Sequence, residues 1–408
     1  MILSGIEIVL LLFFGGFLGY LAVLSVLALL AQEKRSFAAG ANRKFAIVVP
    51  AHNEETSLGR TVRSLKEIEY PGDLFDIIVI ADNCTDRTAD VARGEHAIVM
   101  ERSDTSKRGK GHALRWCFDK ILSGTPAYDA VVVIDADSTA SANFLTVMNY
   151  YIDQGSRVLQ CSDMVDPQPG SWSSEITRLG FTLYNHVRPL GRSLFGGSAG
   201  IRGNGMCFTS GVLQTIPWNT YSLNEDLEYG LILLLNGISV SFAPEAKVFA
   251  TMPTSARNAE SQRSRWERGR FPVIRQYGPK LLGESIRRAS FLPFDAFVEL
   301  VTPAFVNLFG AAVLVFLLNF IIWECGGEFV QLYILWWALV VICGILHVLL
   351  GLVAARADRL LYRAFFHIPR YALWKILLYT RLFKNKQTQE WVRTTRDQPV
   401  GTADRRSL

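Results

Sequence analysis

Long uncharged apolar stretches at both ends of the chain restrict its architecture more than any other feature. Ile8 to Ala31 contains 24 residues without a charge, and a helix of about 20 apolar residues crosses the hydrocarbon core of a bilayer. Leu300 to Trp323 is a second stretch of this kind, and Phe329 to Ala355 is a third with a few polar residues. The sequence therefore predicts three membrane spans, one near the start and two near the end.

The charges around the first span predict its orientation. A secretory signal peptide is the alternative interpretation, but such peptides carry basic residues ahead of an apolar region of about 7–15 residues. Here only Glu7 precedes the span, while Lys34, Arg35, Arg43 and Lys44 follow it. Because Lys and Arg are enriched on the cytoplasmic side, we expect a multi-pass protein of the inner (plasma) membrane whose middle region and C-terminus are cytoplasmic.

A basic, aromatic segment follows the third span. From Arg356 to Arg396 there are ten Lys or Arg and two acids, with aromatic and aliphatic residues between them. A segment of this composition is typical of an amphipathic helix on an anionic bilayer surface. We interpret the formal net charge of +5 as apposition to the lipid bilayer. Nucleic acid is the alternative partner for such a charge run, and we expect none.

Between Phe45 and Asp135, short β-branched runs alternate with helical patterns. Strands separated by helices at this spacing form a parallel sheet that is covered on both faces, so an α/β fold is predicted. The predicted strands are 45–49, 77–81, 97–100 and 130–134, and the predicted helices are 57–69, 87–93 and 110–122.

Three polar loops follow strands of the predicted sheet: “PAHNEE” (50–55), “DNCTDRT” (82–88) and “DADS” (135–138). Turns and helix caps account for Asp and Asn in any single loop, but ligands of such sheets bind beyond the carboxyl ends of the strands. Two aspartates one residue apart repel each other unless a cation or proton lies between them. A hard divalent cation shared with phosphates suits them, which points to a nucleoside diphosphate.

Seven short motifs follow one another between about residues 45 and 270: “IVVPAHNEE”, “VIADNCTDRT”, “GKGHALRW”, “VVIDADS”, “GNGMCF”, “LNEDLEYG” and “QRSRW”. In this order and spacing they resemble the membrane-bound glycosyltransferases of family 2, which include cellulose, chitin, hyaluronan and poly-N-acetylglucosamine synthases. The resemblance implies a nucleotide-sugar-binding, Rossmann-like fold of the GT-A type, flanked by transmembrane and interfacial helices. It also implies an inverting glycosyl transfer.

The resemblance further implies roles for individual residues. Asp135 and Asp137 would form an Asp-x-Asp motif that binds Mg²⁺ or Mn²⁺, with Asp137 as the direct ligand. The residues expected at the donor are Ala51, Glu54, Asp82, Lys110, Asp135, Asp137, Gln262, Arg265 and Trp266. The residues expected on the acceptor side are Gly203, Asn204, Gly205, Glu225 and Trp266.

Two of these motifs have simpler interpretations. “QRSRWERGR” is also typical of a basic helix at the bilayer surface, and the two interpretations are compatible for a site beside the membrane. “IRGNGMCF” permits close approach of the backbone to a ligand, but an ordinary irregular loop explains it equally well. The chain also departs from many relatives, with one acid instead of two in its second loop and Asn224 in place of a hydroxyl residue.

Asp226 is the predicted general base. An inverting transfer needs a group that takes the proton of the acceptor hydroxyl. Asn224 is expected to cap the helix that follows, and the positive end of the helix dipole should favour an ionised Asp226. Leu227, Leu231, Leu234 and Leu235 would form the buried stripe of this helix.

The predicted organisation has five parts: an N-terminal transmembrane anchor over 1–34, a cytoplasmic GT-A domain over 44–280, an interfacial segment over 281–299, two transmembrane helices over 300–355 and a basic amphipathic tail over 356–408.

These predictions describe an enzyme that moves a sugar from a UDP-sugar to a glycan or a polyprenyl-diphosphate-linked acceptor during surface polysaccharide biosynthesis. The alternative is a processive synthase that polymerises and exports a β-linked polymer. Three spans make a thin wall for a polymer pore unless the chain forms a homo-oligomer or a membrane partner subunit adds helices. A nucleotide sensor or a transporter subunit would be non-enzymatic alternatives, but a transporter needs more spans with polar groups inside them.

Overall fold

The structure, a computed structural model, describes residues 2–31, 37, 43–125, 127–167, 172–252, 256–327, 330–372 and 374. Side chains are described throughout these ranges except in 2–4 and 256–268. Most of the predicted basic tail, from 375 onward, therefore lies outside the described residues, as do the side chains of Gln262, Arg265 and Trp266.

A mixed sheet of eight strands forms the centre of the described part of the middle region. Its spatial order is β3-β2-β1-β4-β7-β6-β8-β5. The first four strands in that order are parallel, as predicted, whereas β7 runs antiparallel to both of its neighbours. The strands are β1 (Phe45–Ala51), β2 (Phe75–Asp82), β3 (Ile98–Arg102), β4 (Ala130–Val133), β5 (Ser138–Ala140), β6 (Val158–Val165), β7 (Met206–Thr209) and β8 (Ser241–Ala250).

Helices cover both faces of this sheet and also form an apolar bundle beside it. They are α1 (Ile2–Leu30), α2 (Leu58–Lys66), α3 (Thr88–Gly94), α4 (Lys110–Ser123), α5 (Phe144–Asp153), α6 (Trp172–Phe181), α7 (Arg188–Leu194), α8 (Ser210–Thr215), α9 (Glu225–Leu235), α10 (Ala256–Arg287), α11 (Phe291–Val301), α12 (Phe305–Glu324), α13 (Gln331–Ala354) and α14 (Arg359–Ala364). A π-helical segment (Thr182–Val187) joins α6 to α7, and a 3₁₀ turn (Phe365–His367) follows α14.

Successive residues of the central strands enter two different hydrophobic cores. In β4, Val131 and Val133 pack into a core that continues into the membrane helices, where it includes Leu18 and Leu352. Val132 lies in a separate core on the other face. Because side chains alternate across a strand and both faces are covered, the strand is apolar throughout. The sheet and the long apolar helices are therefore joined by one continuous apolar contact.

Among the described residues, three helices are long and apolar enough to cross a membrane: Gly5–Leu30, Phe305–Glu324 and Gln331–Ala354. This confirms three apolar helices in the predicted arrangement, one N-terminal and two C-terminal. The predicted start of the second span, at Leu300, was wrong. Pro303 disfavours helical geometry at the residue before it, and Thr302 is accordingly non-helical (φ −58°, ψ 117°). Leu300 belongs to α11.

Polar contacts join the apolar helices to one another. The Trp337 indole of α13 donates to the Glu7 carboxylate of α1 at 2.8 Å, and the Asn319 amide of α12 donates to the same carboxylate at 3.2 Å. The Ser25 hydroxyl of α1 lies 2.7 Å from Nδ1 of His347 in α13. Since unpaired polar groups are costly in an apolar environment, these pairs favour one arrangement of the three helices.

Gly191 allows α7 to pack closely against α1. A Cβ atom at this position would lie 2.2 Å from the main-chain oxygen of Leu24. Because that oxygen belongs to the backbone, no side-chain rotation can relieve the contact. The middle domain and the first apolar helix are thus held together through a position that has room only for hydrogen.

We expect Gly191→Ala to lower the free energy of unfolding by about 1–3 kcal/mol, because the added methyl group overpacks the contact between α7 and α1. Thermal unfolding of the detergent-solubilised protein measures this as a lower midpoint. Gly180→Ala in α6 is the matched control, because a Cβ there meets nothing within 4 Å, and we expect it to be neutral or slightly stabilising. Equal midpoints for the two variants would contradict the packing argument.

Candidate active site

A cavity of about 1080 Å³ lies beyond the carboxyl ends of β1, β2 and β4. The three polar loops predicted to share one edge of the sheet do meet there. The predicted site residues that line it are Ala51, Glu54, Asp82, Lys110, Asp135, Asp137, Gly203, Asn204, Glu225 and Asp226. Gly205 does not line the cavity and instead packs against Cys161 and Val248.

Asp82 is held rigidly at the cavity wall. Arg102 donates to its Oδ1 atom at 2.6 Å, and the side chains of Asp82 and Arg102 are only 8% and 5% exposed. The two residues face each other in the register of β2 and β3. Arg102 could not be predicted from the sequence, because only the pairing of these strands brings it next to Asp82.

Lys110, the first residue of α4, joins two parts of the site. Its ammonium donates to Asp135 Oδ1 at 2.5 Å and to the main-chain oxygen of Gly203 at 2.6 Å. Burial disfavours the charged form, but Asp135, Glu225 and Asp226 outweigh this effect and raise the pKa of Lys110. The site therefore contains a fixed positive charge among its carboxylates.

Asp163 in β6 is a third carboxyl group beside the Asp-x-Asp motif, and it was not among the residues predicted from the sequence. It is 4% exposed, and its oxygens accept from the amides of Asn204 and Asn185 at 3.1 Å each. Burial, followed by the negative charge of Asp135, raises the pKa of Asp163 well above its usual value. An aspartate in the middle of a strand that begins and ends with apolar residues was the available signal.

Asn204 positions the loop that carries Asp135. Its side-chain oxygen accepts from the Asp135 backbone N–H at 3.1 Å, and its amide donates to Ser138 Oγ at 3.0 Å as well as to Asp163. Its carbonyl oxygen accepts from Gln160 at 2.7 Å. The amide that we expected to contact the acceptor is thus largely engaged in holding the Asp-x-Asp loop.

Asp226 lies against Gly203 at the start of α9. Gly203 has φ of +85°, and a Cβ atom there would lie 2.6 Å from Asp226 Oδ2. Burial raises the pKa of Asp226 above its usual value, although the Leu227 N–H and the Lys110 charge act in the opposite direction. The start of the helix therefore only partly offsets burial, and a raised pKa is the direction that suits a general base near neutral pH.

The helix that carries Asp226 has the predicted buried stripe but not the predicted cap. Leu231 and Leu234 are buried against α10 and α11, with Leu227 and Leu235 packed beside them. Asn224 occupies the cap position without a side-chain hydrogen bond to the helix. The atoms of its side chain instead lie next to Gly269 of α10.

Asp135 and Asp137 are suitable ligands for a hard divalent cation. Both line the cavity, and the Lys110 ammonium at Asp135 shows that the site accommodates a positive charge. Within the described residues, no group of three or more His, Cys, Asp or Glu side chains is arranged to hold a metal ion. A cation bound by these two carboxylates would complete its coordination with water and phosphate oxygens, as Mg²⁺ commonly does.

Residues 42–269 match the family described as “Glycosyltransferase like family 2”. The chain belongs to this family. It is therefore an enzyme, a glycosyltransferase, and the resemblance noted in the sequence is confirmed at the level of the family.

Two relatives illustrate how far the similarity of this glycosyltransferase extends. The probable glycosyltransferase YdaM of Bacillus subtilis (strain 168) is 24% identical over 243 residues, which cover 57% of this chain and 57% of the relative. A β-monoglucosyldiacylglycerol synthase of Synechocystis sp. is 27% identical over 238 residues, which cover 57% of this chain and 48% of the relative. The glycosyltransferase spans about half the length of the curated relatives it matches.

A solved structure confirms the predicted fold. The mannosyltransferase PcManGT from Pyrobaculum calidifontis, in complex with GDP-Man and Mn²⁺, has a TM-score of 0.54 and 16% identity, and the match covers 85% of this chain and 99% of that one. The glycosyltransferase therefore has a GT-A-like α/β fold.

We expect Gly203→Ala to abolish glycosyl transfer, since its methyl group would displace the Asp226 carboxylate. Gly200→Ala is the control: Gly200 has φ of +71° in the same loop, but a Cβ there meets nothing within 4 Å. Both variants carry backbone strain of about 1–2 kcal/mol, so only the contact with Asp226 differs. Release of nucleoside diphosphate by the purified variants measures the effect, and equal activities would show that the contact has no catalytic importance.

Proposed function

We propose that this enzyme is an inverting glycosyltransferase that moves a sugar from a UDP-sugar to a lipid or lipid-linked glycan at the cytoplasmic face of the membrane. One observation carries the proposal. The cavity that contains Asp135 and Asp137 also contains Asp226, and it extends to Ala304 at the start of the apolar helix α12. Donor chemistry, a candidate base and a bilayer-facing end thus share one space.

The donor end is the part of the cavity that receives the loops after β1, β2 and β4. Glu54 and Asp82 would contact the nucleoside, and Lys110 would contact the phosphates. Asp135 and Asp137 would hold Mg²⁺ or Mn²⁺, which stabilises the negative charge that develops on the leaving diphosphate. The presence of Mn²⁺ in the complex of PcManGT supports a divalent ion.

Asp226 would act on the acceptor. As the acceptor oxygen attacks the anomeric carbon, Asp226 takes the hydroxyl proton, and the bond from the sugar to the diphosphate breaks. Attack from the side opposite the leaving group inverts the anomeric centre, so an α-linked donor gives a β-linked product. Burial and the contact with Gly203 would keep the carboxylate in place for this step.

The bilayer-facing end of the cavity supports a membrane acceptor. One relative is named as a β-monoglucosyldiacylglycerol synthase, and another, of Staphylococcus aureus, as a 4,4'-diaponeurosporenoate glycosyltransferase, with 31% identity over 123 residues that cover 29% of this chain and 31% of the relative. These names describe transfer to small lipids. They favour single addition over a processive synthase, although the Gln262, Arg265 and Trp266 motif is shared with polymer-forming relatives.

We expect Asp226→Asn to reduce transfer by about 10²–10⁴-fold, the usual contribution of a general base, while binding of UDP is retained. UDP release with a membrane-lipid extract measures glycosyl transfer, and calorimetric titration measures the binding of UDP. Glu228→Gln is the control in the same turn, since Glu228 accepts from Tyr277 at 2.9 Å and has no assigned chemistry. Substantial turnover by Asp226→Asn would show that Asp226 is not the general base.

The acceptor and the number of additions are tested directly. Purified enzyme in lipid nanodiscs is incubated with Mn²⁺, a panel of labelled UDP-sugars and a lipid extract, and the products are sized. We expect one or a few sugars on a lipid, and no product after chelation with EDTA. A ladder of long polymer would instead establish the processive synthase.

A further inference from the structure

Four buried or partly buried arginines lie at the membrane end of the cavity: Arg188, Arg192, Arg202 and Arg270, here called the arginine cluster. Arg188 and Arg192 belong to α7, Arg202 precedes Gly203, and Arg270 belongs to α10. Two carboxylates of α11, Asp295 and Glu299, face them. The proposed transfer reaction does not use this cluster.

Asp295 is fully engaged by one arginine and one tyrosine. Nε and Nη2 of Arg192 donate to Asp295 Oδ2 at 2.9 and 2.5 Å, and the Tyr20 hydroxyl of α1 donates to Oδ1 at 3.1 Å. The Arg192 side chain is 2% exposed and that of Asp295 0%. This pair is electrically neutral, and it connects α7 and α1 to α11.

Glu299 is left with three arginines. Arg202 Nη2 lies 3.2 Å from Glu299 Oε1, and Arg188 Nη1 lies 3.9 Å from it. Burial favours the neutral acid, but the surrounding arginines, first among them Arg188, lower the pKa of Glu299 to about 2. Glu299 therefore contributes one negative charge. Arg188, Arg202 and Arg270 carry three positive charges. Among the side chains that the structure describes around Glu299, two of these positive charges are therefore not balanced.

The hydrogen bonds of Arg270 do not neutralise the two excess positive charges. Its guanidinium donates to three main-chain oxygens at the end of α11, those of Glu299, Leu300 and Thr302, at 2.8–3.1 Å. Carbonyl oxygens satisfy its hydrogen bonds without adding a formal negative charge. They also place the guanidinium at the end of a helix, where the dipole favours a cation.

Hydrogen-bonding capacity in the cluster is also unused. The Nε atoms of Arg188 and Arg202 and the Oε2 atom of Glu299 are buried without a partner, and the side chains of Arg188 and Arg202 are 3% and 6% exposed. Burying an unpaired charge or donor is costly. An arrangement with two excess charges and two unpaired guanidinium N–H groups is suited to a dianionic ligand.

Part of the arginine cluster lines the cavity. Arg202 and Arg270 line it, together with Tyr184 and Ala304. The Tyr184 ring lies under the Arg202 guanidinium at 4.0 Å and the Arg188 guanidinium at 5.0 Å, which restricts the orientation of both. Because Arg202 directly precedes Gly203, an anion bound here would lie beside the loop that contacts Asp226 and near the start of α12.

We propose that the arginine cluster binds the phosphate of a phosphomonoester acceptor, with Arg202 as the main contact, and so presents a separate hydroxyl of that acceptor to Asp226. A phosphate dianion matches the two excess charges, and its oxygens accept the paired donors of a guanidinium. The position beside α12 favours a lipid phosphate over a soluble one. This inference rests on the proposed function, because it assigns the acceptor end of the same cavity.

Equilibrium binding to the full-length protein in detergent tests the inference without requiring turnover. The probes are dodecyl phosphate, dodecanol and inorganic phosphate, and calorimetry measures their affinities in the absence of a sugar donor. We expect dodecyl phosphate to bind at least tenfold more tightly than dodecanol. Weaker binding of inorganic phosphate assigns the site to a lipid, and equal binding assigns it to a soluble phosphomonoester.

Variants decide whether the cluster is responsible. Arg202→Gln should weaken binding of dodecyl phosphate at least tenfold and leave UDP binding unchanged. Arg202→Lys keeps the charge beside Glu299 but loses the paired donors, so it should fold and bind with intermediate affinity. Arg287→Gln is the control, because Arg287 is 65% exposed and pairs with Glu284, and it should bind like the unchanged protein.

The inference is overturned if dodecanol binds as tightly as dodecyl phosphate, or if Arg202→Gln and Arg202→Lys both bind like the unchanged protein. Failure of the proposed function is a separate result. If the enzyme transfers no sugar to lipid but still binds dodecyl phosphate through Arg202, the phosphate site stands and the acceptor assignment falls.

Discussion

The ammonium of Lys110 is the interaction on which the candidate site depends. Asp135, Glu225 and Asp226 all lie close enough to influence its charge, and carboxylates gathered in one cavity repel one another. By bonding Asp135 and the main chain of Gly203 together, Lys110 connects the end of β4 to the loop that contacts Asp226. One partly buried charge thus positions groups from two different parts of the cavity.

A second set of buried charges relates this site to the long apolar helices. Arg192 pairs with Asp295, which also accepts from Tyr20 of the first apolar helix. Gly191, the preceding residue, touches the backbone of that same helix. This junction fixes the position of the cavity relative to the first apolar helix. The neutral Arg192 pair is suited to this mechanical role, whereas the surplus of charge around Glu299 is suited to a ligand.

Much of the architecture could be predicted from local patterns. Buried parallel strands are apolar along their whole length, and for this reason β1, β2 and β4 were recognisable. Polar residues directly after those strands identified the edge where the cavity lies. The predicted start of the second span, at Leu300, was wrong because apolar composition alone does not show the helix-breaking effect of Pro303. The predicted helix cap at Asn224 was wrong because the Asn224 side chain contacts α10 instead. That helix begins 32 residues after Asn224 in the chain.

The sequence alone determined the class of fold, the number of apolar helices and many of the residues that line the cavity, because each depends on periodicity or on motifs only a few residues long. Tertiary structure alone decided which charges meet. Arg102 reaches Asp82 through strand pairing, Asp163 comes beside Asp135 from the other half of the sheet, and Arg202 meets Glu299 across 97 positions of the chain. Electrostatic energy depends on distance in space and on burial, and neither quantity can be read from positions along a chain.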